Sequence, residues 1–342
     1  MKVGLLFGGK SFEHDISIIT ANVIYHAIKD KYEVVLLYVD RKGKLKLPKR
    51  MVVEDFVAEC KQRDFYFVNK GIKSGFKVSE IDVIISAMHG LNGEDGVAAM
   101  LANVYDIPYV GSNSISSGVL MDKYFTYAVL RANKIRCLYT KFYLKDGVVN
   151  VDKFPKIIKP ARLGSSIGIS KVVDKNELNI KTQYGFMFDD KIITQPFIDN
   201  FRECNQAVYK VGDEFYFSKI EEVFKTNDIL SFDDKYICSK TDKHHQFLND
   251  ASLVLKISEL TKKLYNIFEL SGIVRVDYML IDGEVFVNEI NTTPGSLAYY
   301  LFDEPFEVIL DKIIKNALFE HQNRRNYVFE SSVLQQKYTY KK

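Results

Sequence analysis

The segment VRVDYMLIDGEVFVNEINTTPG, from Val274 to Gly295, organises the rest of this chain. It consists of two short apolar runs around Asp282-Gly283, a dipeptide that is typical of a β-hairpin turn. Polar side chains interrupt these runs where a hairpin normally carries hydrophobic residues: Arg275, Asp277, Glu289 and Asn291. Three of them offer oxygen atoms of the kind that hard divalent cations prefer, so the hairpin is expected to bind a metal through Asp277, Glu289 and Asn291.

The register of this hairpin determines whether its polar side chains share one face. Within each strand the polar residues are two positions apart, which places them on one face of that strand. A two-residue turn alone would set Asp277 opposite Asn288 and would turn Glu289 away. Because buried charges that face nothing cost free energy, we expect an odd-length loop or a β-bulge that brings all of them together. The alternative is a solvated hairpin with scattered charges.

The composition is that of an ordinary soluble globular protein. The chain has 342 residues, of which 47% are hydrophobic and 27% charged, enough for two or three domains with their own cores. The net charge of +3 is too small to favour nucleic acid as a partner. No apolar run is long enough to span a bilayer, and the first residues lead directly into a strand without a cleavage signal. We therefore expect a cytoplasmic protein that binds no membrane.

Residues 1–118 alternate predicted strands and helices. Strands are expected at Val3–Phe7, Tyr32–Val39 and Val83–Ala87, and an amphipathic helix at Ile16–Ile28. This alternation predicts an α/β domain with a parallel sheet, in which ligands bind beyond the carboxyl ends of the strands. The segments Gly8–Glu13 and His89–Glu94 both follow strands and should lie at that edge.

One segment of this region matches a P-loop. GLLFGGKS, from Gly4 to Ser11, fits the pattern G-x-x-x-x-G-K-[ST] and has the expected strand–turn–helix context. The first half of the segment is expected to be strand, however, which leaves only Gly8 and Gly9 to wrap a phosphate with backbone amides. Glu13 and Asp15 follow, and these carboxylates suit an ammonium group better than a phosphate. A P-loop NTPase is therefore an alternative and not the preferred interpretation.

Residues 119–198 carry a loop rich in glycine and serine. KPARLGSSIGI, from Lys159 to Ile169, lies between two predicted strands and offers amide and hydroxyl donors that suit a phosphate. A plain β-turn is the alternative, but the neighbouring Lys123 and Lys159 favour nucleotide binding. In residues 199–342, the polar segment Lys225–Gln246 lacks periodicity and is expected to be a long functional loop.

Taken together, these segments resemble the D-alanine–D-alanine ligases, a family of the ATP-grasp superfamily. Blocks that match in the family's order are FGGKSFEHDIS, HGLNGEDG, IPYVGS, MDK, KPARLGSSIGISKV, DDKY and RVDYML…VNEINTTPG. The resemblance implies an N-terminal α/β domain (1–118) and two α+β ATP-grasp domains (119–198 and 199–342), with ATP between the latter two. It also implies two Mg²⁺ ions, which Mn²⁺ can replace, and a homodimer.

The resemblance further implies which residues hold the nucleotide and the metal. Positions matching those that contact the phosphates are Lys123, Lys159, Ser165, Ser166, Gly168 and Lys235. Gln195 and Glu203 match the residues that bind adenine and ribose. The matching metal ligands are Asp277, Glu289 and Asn291, in agreement with the argument from the hairpin.

Other positions match the family's substrate and catalytic groups. Glu13 matches the carboxylate that holds the ammonium group of the first amino acid. Arg275 and the backbone at Gly295 match the groups that stabilise the oxyanion. Catalytic roles are also expected for Ser165 and for Tyr236, which matches a tyrosine that accompanies an amine acceptor. Further substrate contacts are expected from His89, Ser296 and Tyr300.

Two positions depart from the family pattern. Tyr300 stands where the family commonly carries a hydroxyl residue that binds the acceptor carboxylate, so either Ser296 or Tyr300 does this in altered geometry or the acceptor differs. Gln195 stands where a glutamate is usual, and an amide oxygen can still accept from the adenine amino group.

The sequence therefore predicts ATP-dependent ligation of two D-alanines through an acyl phosphate, for peptidoglycan precursor synthesis. The alternatives are a ligase with D-serine or another D-amino acid as acceptor, a P-loop NTPase, and a nucleotide-binding regulator without catalysis.

Overall fold

The computed structural model describes residues 1–56, 62–223 and 246–324. In this part of the chain the strands form sheets of six, four and five strands and a small sheet of three. One of the three larger sheets lies within each of the ranges 1–118, 119–198 and 199–342. None of the helices described is long and apolar enough to cross a membrane.

The first nine strands belong to the N-terminal region. They are β1 (Lys2–Gly8), β2 (Glu33–Val39), β3 (Leu45–Leu47), β4 (Arg63–Asp64), β5 (Tyr66–Val68), β6 (Gly71–Ser74), β7 (Lys77–Glu80), β8 (Val83–Ser86) and β9 (Tyr109–Val110). The large sheet has the order β4-β3-β2-β1-β8-β9, with parallel pairing from β2 to β9. Helices α1 (His14–Ile28) and α2 (Val97–Val104) follow β1 and β8. The apolar side chains of β1 are buried, as expected for a parallel strand covered on both faces.

The middle region begins with two helices, α3 (Ser114–Met121) and α4 (Lys123–Ala132). The sequence predicts a helix that begins at Met121-Asp122-Lys123 and ends near Ala132. In the structure Asp122 separates α3 from α4, and its side chain caps α4 by accepting from the amides of Tyr124 and Phe125. The sheet has the order β10-β13-β11-β12. Its elements are β10 (Lys141–Leu144), β11 (Lys156–Pro160), β12 (Ser170–Val172), helix α5 (Lys175–Phe186) and β13 (Lys191–Pro196).

The last sheet is antiparallel throughout and has the order β16-β15-β14-β17-β18. Its strands are β14 (Arg202–Val211), β15 (Glu214–Val223), β16 (Gln246–Phe247), β17 (Val274–Ile281) and β18 (Glu284–Asn291). Helix α6 (Ala251–Ile267) packs on one face of this sheet through Ile257 and Leu264. The opposite face carries the polar residues of the hairpin.

The final helix, α7 (Phe306–Gln322), packs against the first sheet. Its buried Ile309, Leu310 and Ile313 belong to one hydrophobic core with Val3 and Leu5 of β1. Leu297 and Ala298, which follow the hairpin, are buried in the same core. The end of the hairpin is therefore held against the N-terminal sheet, beside the loops that follow β1 and β8.

Candidate active site

The hairpin formed by β17 and β18 contains the predicted bulge. Its turn has only two residues, Asp282 and Gly283, both with positive φ (49° and 77°). The register then shifts between Asp277 and Tyr278, so that Tyr278 pairs with Val287, Asp277 pairs with Glu289, and Asn288 is the extra residue. The pairs Arg275–Asn291 and Asp277–Glu289 therefore lie side by side on one face. The prediction of a bulge that unites the polar residues is confirmed.

Positive side chains pair with the two carboxylates of this face. Arg275 donates from Nε to Oδ1 of Asp277 at 2.7 Å and from Nη2 to Oδ2 at 3.0 Å. Asn291 Nδ2 donates to the same Oδ2 at 3.0 Å. Lys123 Nζ lies 3.2 Å from Oε1 of Glu289. The buried Asp277 and the half-buried Glu289 are thus neutralised by cations from their own sheet and from α4.

The chemistry of these donors fits Mg²⁺. Within residues 1–56, 62–223 and 246–324, no three His, Cys, Asp or Glu side chains gather into a metal-binding group. The hairpin instead offers two carboxylates, Asp277 and Glu289, with the amide of Asn291 beside them. Mg²⁺ is usually held by one or two carboxylates together with water and substrate phosphates, so this incomplete set suits a metal that arrives with a nucleotide.

Glu13 marks a second part of the site, at the N-terminus of α1. Its Oε1 accepts a hydrogen bond from the Ser165 hydroxyl of the glycine- and serine-rich loop. The backbone approaches the carboxylate closely at two glycines: a Cβ added at Gly90 would lie 2.8 Å from Oε2, and one at Gly164 would lie 3.3 Å from Oε1. The carboxylate therefore sits in a narrow place that admits a small ammonium group and no large side chain.

His89 is buried next to this region and links two of its segments. Its buried Nε2 is 2.8 Å from Oγ1 of Thr20, and that oxygen accepts from the backbone amide of Ser296 at 3.1 Å. Burial lowers the pKa of His89 to about 4, and the charge of Arg275 acts in the same direction. The neutral ring connects the loop after β8 to the turn that follows the hairpin, which is a supporting position.

Glu94 is a residue of the site to which the sequence analysis gave no role. Its Oε2 accepts from the amide of Gly90 at 2.9 Å and its Oε1 from the amide of Thr293 at 3.3 Å. Burial, followed by the charge of Glu13, raises the pKa of Glu94 to about 8. The signal for it was present in the block HGLNGEDG, of which Glu94 is the first acidic residue.

A cleft lies between α4, the middle sheet and β18. Its lining includes Lys123, Lys159, Gln195 and Glu289 together with apolar Leu138 and Val287. The combination of two lysines and an amide with apolar walls offers groups that suit a nucleotide.

Gln195 has an unusual environment in this cleft. Its Nε2 donates to Oγ1 of Thr140 at 3.0 Å, while its Oε1 is buried without a hydrogen-bond partner in the described part of the chain. Leaving a buried acceptor unpaired costs about 1–3 kcal/mol, which a ligand with an N–H donor would recover. The adenine amino group predicted from the sequence is such a donor.

The loop that carries Ser165 adopts a strained conformation. Ser165 and Ser166 have φ of 55° and 60°, a region that residues other than glycine seldom occupy. Gly168 has φ of 71°, and a Cβ there would lie 2.6 Å from Pro160 Cγ and 2.8 Å from Phe188 Cδ2. This close packing fixes the loop above the cleft, beside Lys123, whose Nζ donates to the Leu163 carbonyl at 2.6 Å.

The turn after the hairpin brings Tyr300 to Arg275. Ser296, Leu297 and Ala298 have φ of 48°, 53° and 50°, a left-handed turn. The Tyr300 side chain forms a hydrogen bond with Arg275, and burial raises the pKa of its hydroxyl. A Cβ at Gly295 would meet nothing within 4 Å, so open space adjoins that backbone.

Three further site residues were predicted from the sequence: Glu203, Lys235 and Tyr236. Glu203 is on β14, paired with Met279, on the same sheet face as Asp277 and one row away from it. Lys235 and Tyr236 lie outside the residues that the structure describes, and so does nearly all of the predicted functional loop.

The P-loop alternative is wrong. The segment Gly4–Gly8 is part of β1, and the amides of Gly8 and Gly9 already donate to Ser17 Oγ and to the Val39 carbonyl, at 2.7 and 2.8 Å. Because these two amides already donate to acceptors within the protein, they are not available to bind a phosphate.

Comparison with known proteins agrees with this geometry. Residues 2–112 match the family described as D-ala D-ala ligase N-terminus, and residues 124–307 match D-ala D-ala ligase C-terminus. The D-alanine–D-alanine ligase of Thermosipho melanesiensis is 34% identical over 98% of this chain and 98% of its own length.

Solved structures give the same result. The Helicobacter pylori D-alanine–D-alanine ligase is 30% identical, with a TM-score of 0.79 over 92% of this chain and 98% of that one. The Bacillus anthracis D-alanine–D-alanine ligase complexed with ATP is 25% identical, with a TM-score of 0.70 over 95% of this chain and 100% of that one. The predicted fold class and ligase activity are confirmed, and the chain belongs to the D-alanine–D-alanine ligase family.

Proposed function

We propose that this chain uses ATP to join two D-alanines into D-alanyl-D-alanine, for peptidoglycan precursor synthesis in the cytoplasm. The observation that carries the proposal is the bulged hairpin. Its bulge sets the oxyanion donor Arg275 and the metal ligands Asp277, Glu289 and Asn291 on one sheet face, next to Lys123 of the cleft. A homodimer, expected from the resemblance, is part of the same proposal.

ATP is assigned to the cleft lined by Lys123, Lys159 and Gln195. The unpaired oxygen of Gln195 receives the adenine amino group, Glu203 holds the ribose, and both lysines lie along the phosphates. Ser165, Ser166 and Gly168 cover the terminal phosphate, and Lys235 is expected to reach it from its loop. The B. anthracis relative complexed with ATP supports this assignment.

Asp277, Glu289 and Asn291 would hold Mg²⁺. A metal bound there would supply positive charge against the phosphate charge that builds up during transfer. Lys123, which pairs with Glu289, would then pair with a phosphate, because its ammonium group can bind either anion. Mn²⁺, which prefers the same oxygen ligands, is expected to substitute.

The first chemical step activates the donor amino acid. Glu13 holds its ammonium group, with Ser165 fixing the carboxylate of Glu13 and Gly90 and Gly164 limiting the size of the ligand. An oxygen of the donor carboxylate then attacks the γ-phosphorus, the bond from that phosphorus to the bridging oxygen of ADP breaks, and an acyl phosphate and ADP result. This step makes a good leaving group from a carboxylate, which is otherwise a poor electrophile for an amine.

The second step forms the peptide bond. The acceptor amine attacks the acyl carbon, and the developing oxyanion is stabilised by Arg275 and the backbone amide of Gly295. Prearranged donors of this kind usually supply the largest share of catalysis. Tyr300, hydrogen-bonded to Arg275, and Ser296 border the acceptor. Tyr236 is expected to favour an amine acceptor over a hydroxy acid.

A second candidate acceptor follows from Tyr300. A bulky phenol stands where the family commonly binds the acceptor carboxylate with a small hydroxyl residue, so D-serine or another D-amino acid is the runner-up acceptor. The test is phosphate release from ATP and Mg²⁺ with D-alanine alone, compared with D-alanine plus D-serine, D-lactate or L-alanine, with products identified by mass. The proposal expects D-alanyl-D-alanine from D-alanine alone; release only with a second compound would overturn the acceptor.

A further inference from the structure

A row of polar side chains, Glu221, Asn205, Asp277 and Glu289, crosses four strands of the last sheet. Glu221 of β15 pairs with Asn205 of β14, Asn205 pairs with Asp277 of β17, and Asp277 pairs with Glu289 of β18. Directly paired residues of antiparallel strands point to the same face. The polar face of the hairpin therefore continues to Glu221, a carboxylate that none of the assignments above uses.

Asn205 connects Glu221 to this face. Its Nδ2 donates to Oε2 of Glu221 at 3.0 Å, and only 5% of the residue is exposed. Its Oδ1 is buried and has no hydrogen-bond partner among the residues that the structure describes. The Asn205 amide thus orients the Glu221 carboxylate and leaves an acceptor atom for an N–H donor from outside the protein.

Glu221 lies on the acceptor side of the site. Strand β15 packs against the turn 295–301 that carries Tyr300. The Tyr300 hydroxyl is bonded to Arg275, and the carboxylates of Glu221 and Asp277 are the negative charges that act on it. Glu221 therefore lies on the same sheet face as Arg275 and near the turn that carries Tyr300.

The other carboxylates of the site have different tasks. Asp277 accepts from Arg275 and Asn291, and Glu289 pairs with Lys123. Glu13 accepts from Ser165 at the donor end, and Glu94 is buried against two backbone amides. Glu221 accepts a hydrogen bond from the Asn205 amide and faces the same side of the sheet as Arg275. The proposed ligation requires the ammonium group of the second amino acid to lose a proton before it can attack.

We propose that Glu221 takes this proton from the acceptor, an inference that rests on the proposed ligation of two amino acids. The ammonium group loses two protons as it becomes an amide N–H: the first passes to the Glu221 carboxylate, and the second leaves with the phosphate. The nitrogen lone pair forms the bond to the acyl carbon, and the bond from that carbon to the phosphate oxygen breaks. Proton transfer by a positioned group contributes about 10²–10⁴-fold to rate.

Glu221→Gln tests the proposal, because glutamine keeps the shape of the side chain and can still accept from Asn205. Two products are measured for each enzyme with ATP, Mg²⁺ and D-alanine: the dipeptide, and the hydroxamate that forms when hydroxylamine traps the acyl phosphate. Hydroxylamine is largely uncharged at neutral pH, so its attack needs no base. The matched control is Glu222→Gln, since Glu222 is the next residue and binds Arg202 at 2.5 and 2.7 Å, away from the proposed acceptor.

The expected result for Glu221→Gln is a dipeptide rate lower by about 10²-fold or more, with hydroxamate formation within about twofold of the wild type. The remaining dipeptide rate should rise with pH more steeply than the wild-type rate, because more of the acceptor amine is then already neutral. Glu222→Gln should retain both rates.

Two results would overturn the assignment: equal losses of both products, which would place Glu221 in the phosphorylation step or in folding, and unchanged dipeptide formation. Wild-type enzyme that forms neither product would instead refute the ligation on which the inference rests.

Discussion

The guanidinium group of Arg275 holds the carboxylate of Asp277 through two parallel hydrogen bonds, at 2.7 and 3.0 Å, although the residues are neighbours on the same strand face. One arginine thereby orients the proposed metal ligand Asp277 and also contacts Tyr300, which is proposed to border the acceptor. The planar guanidinium group of arginine can donate two parallel hydrogen bonds to one carboxylate, whereas the single ammonium group of lysine cannot.

Arg275→Lys should therefore lower kcat for dipeptide formation by about 10²-fold or more, as loss of an oxyanion donor usually does, and should change the KM for ATP little. The measurement is steady-state kinetics with phosphate release. Arg136→Lys is the control, because Arg136 forms a solvent-exposed ion pair with Glu284. A kcat close to that of the wild type would contradict the role of Arg275.

Gly90→Ala should weaken binding of the donor amino acid. The added Cβ would lie 2.8 Å from Oε2 of Glu13 and would push that carboxylate away from its position. Gly283→Ala is the matched control: φ is 67° at Gly90 and 77° at Gly283, but a Cβ at Gly283 meets nothing within 4 Å. Both variants should lose about 1 kcal/mol of stability from the left-handed backbone. Only Gly90→Ala should raise the KM for D-alanine in the hydroxamate assay; equal KM values would disprove the steric argument.

Glu94 should make stability depend on pH. Its pKa of about 8 in the folded protein exceeds its ordinary value of 4.5. Between pH 4.5 and pH 8 the folded protein therefore holds a proton on Glu94 that the unfolded chain does not hold. Its stabilising contribution is fully present below the unfolded pKa and is lost as pH rises through the folded pKa. The free energy of unfolding of the wild type, compared with Glu94→Gln, should therefore fall between about pH 5 and pH 8, by up to about 1.4 kcal/mol per pH unit.

Denaturant unfolding at a series of pH values measures this difference. Glu307→Gln, at an exposed position of α7, serves as control and should give a curve parallel to the wild type. Parallel curves for Glu94→Gln as well would show that Glu94 is ionised in the folded protein throughout this range.

Gln195→Met should weaken ATP binding by about tenfold, because methionine has similar length and removes the unpaired buried acceptor assigned to adenine. The variant should also discriminate less between ATP and GTP. Calorimetric titration with a non-hydrolysable ATP analogue measures both effects. Gln183→Met, on the exposed side of α5, is the control, and an unchanged ATP affinity in Gln195→Met would move adenine elsewhere.

Local patterns in the sequence predicted the elements of the fold closely. The strand expected at Val3–Phe7 is β1 (Lys2–Gly8). The apolar spacing of Leu253–Leu270 also predicts a long amphipathic helix, which is α6 (Ala251–Ile267). The α6 boundary was predicted too far along because Leu270 is apolar and fits the periodicity, whereas Glu269 adopts φ of 49° and ends the helix. Hydrophobic spacing reports burial, and burial continues past the end of a helix.

For the site, too, some features could be predicted from the sequence and others could not. The bulge could be predicted because four polar residues within one hairpin have few arrangements that leave no charge buried alone. The contacts of Glu94 with Thr293 and of Ser165 with Glu13 join residues 199 and 152 positions apart, and no spacing rule reaches so far. The row from Glu221 to Glu289 likewise depends on the order of strands in the sheet, which the sequence does not state.

The packing of α7 on the first sheet has a consequence for how this chain is made. Val3 and Leu5 of β1 are synthesised well before Ile309, Leu310 and Ile313 of α7, yet all of them belong to one core. Until α7 has been synthesised, the apolar surface that it covers stays exposed. We therefore expect a fragment that ends before Phe306 to aggregate through that surface, even though it holds every residue of the site.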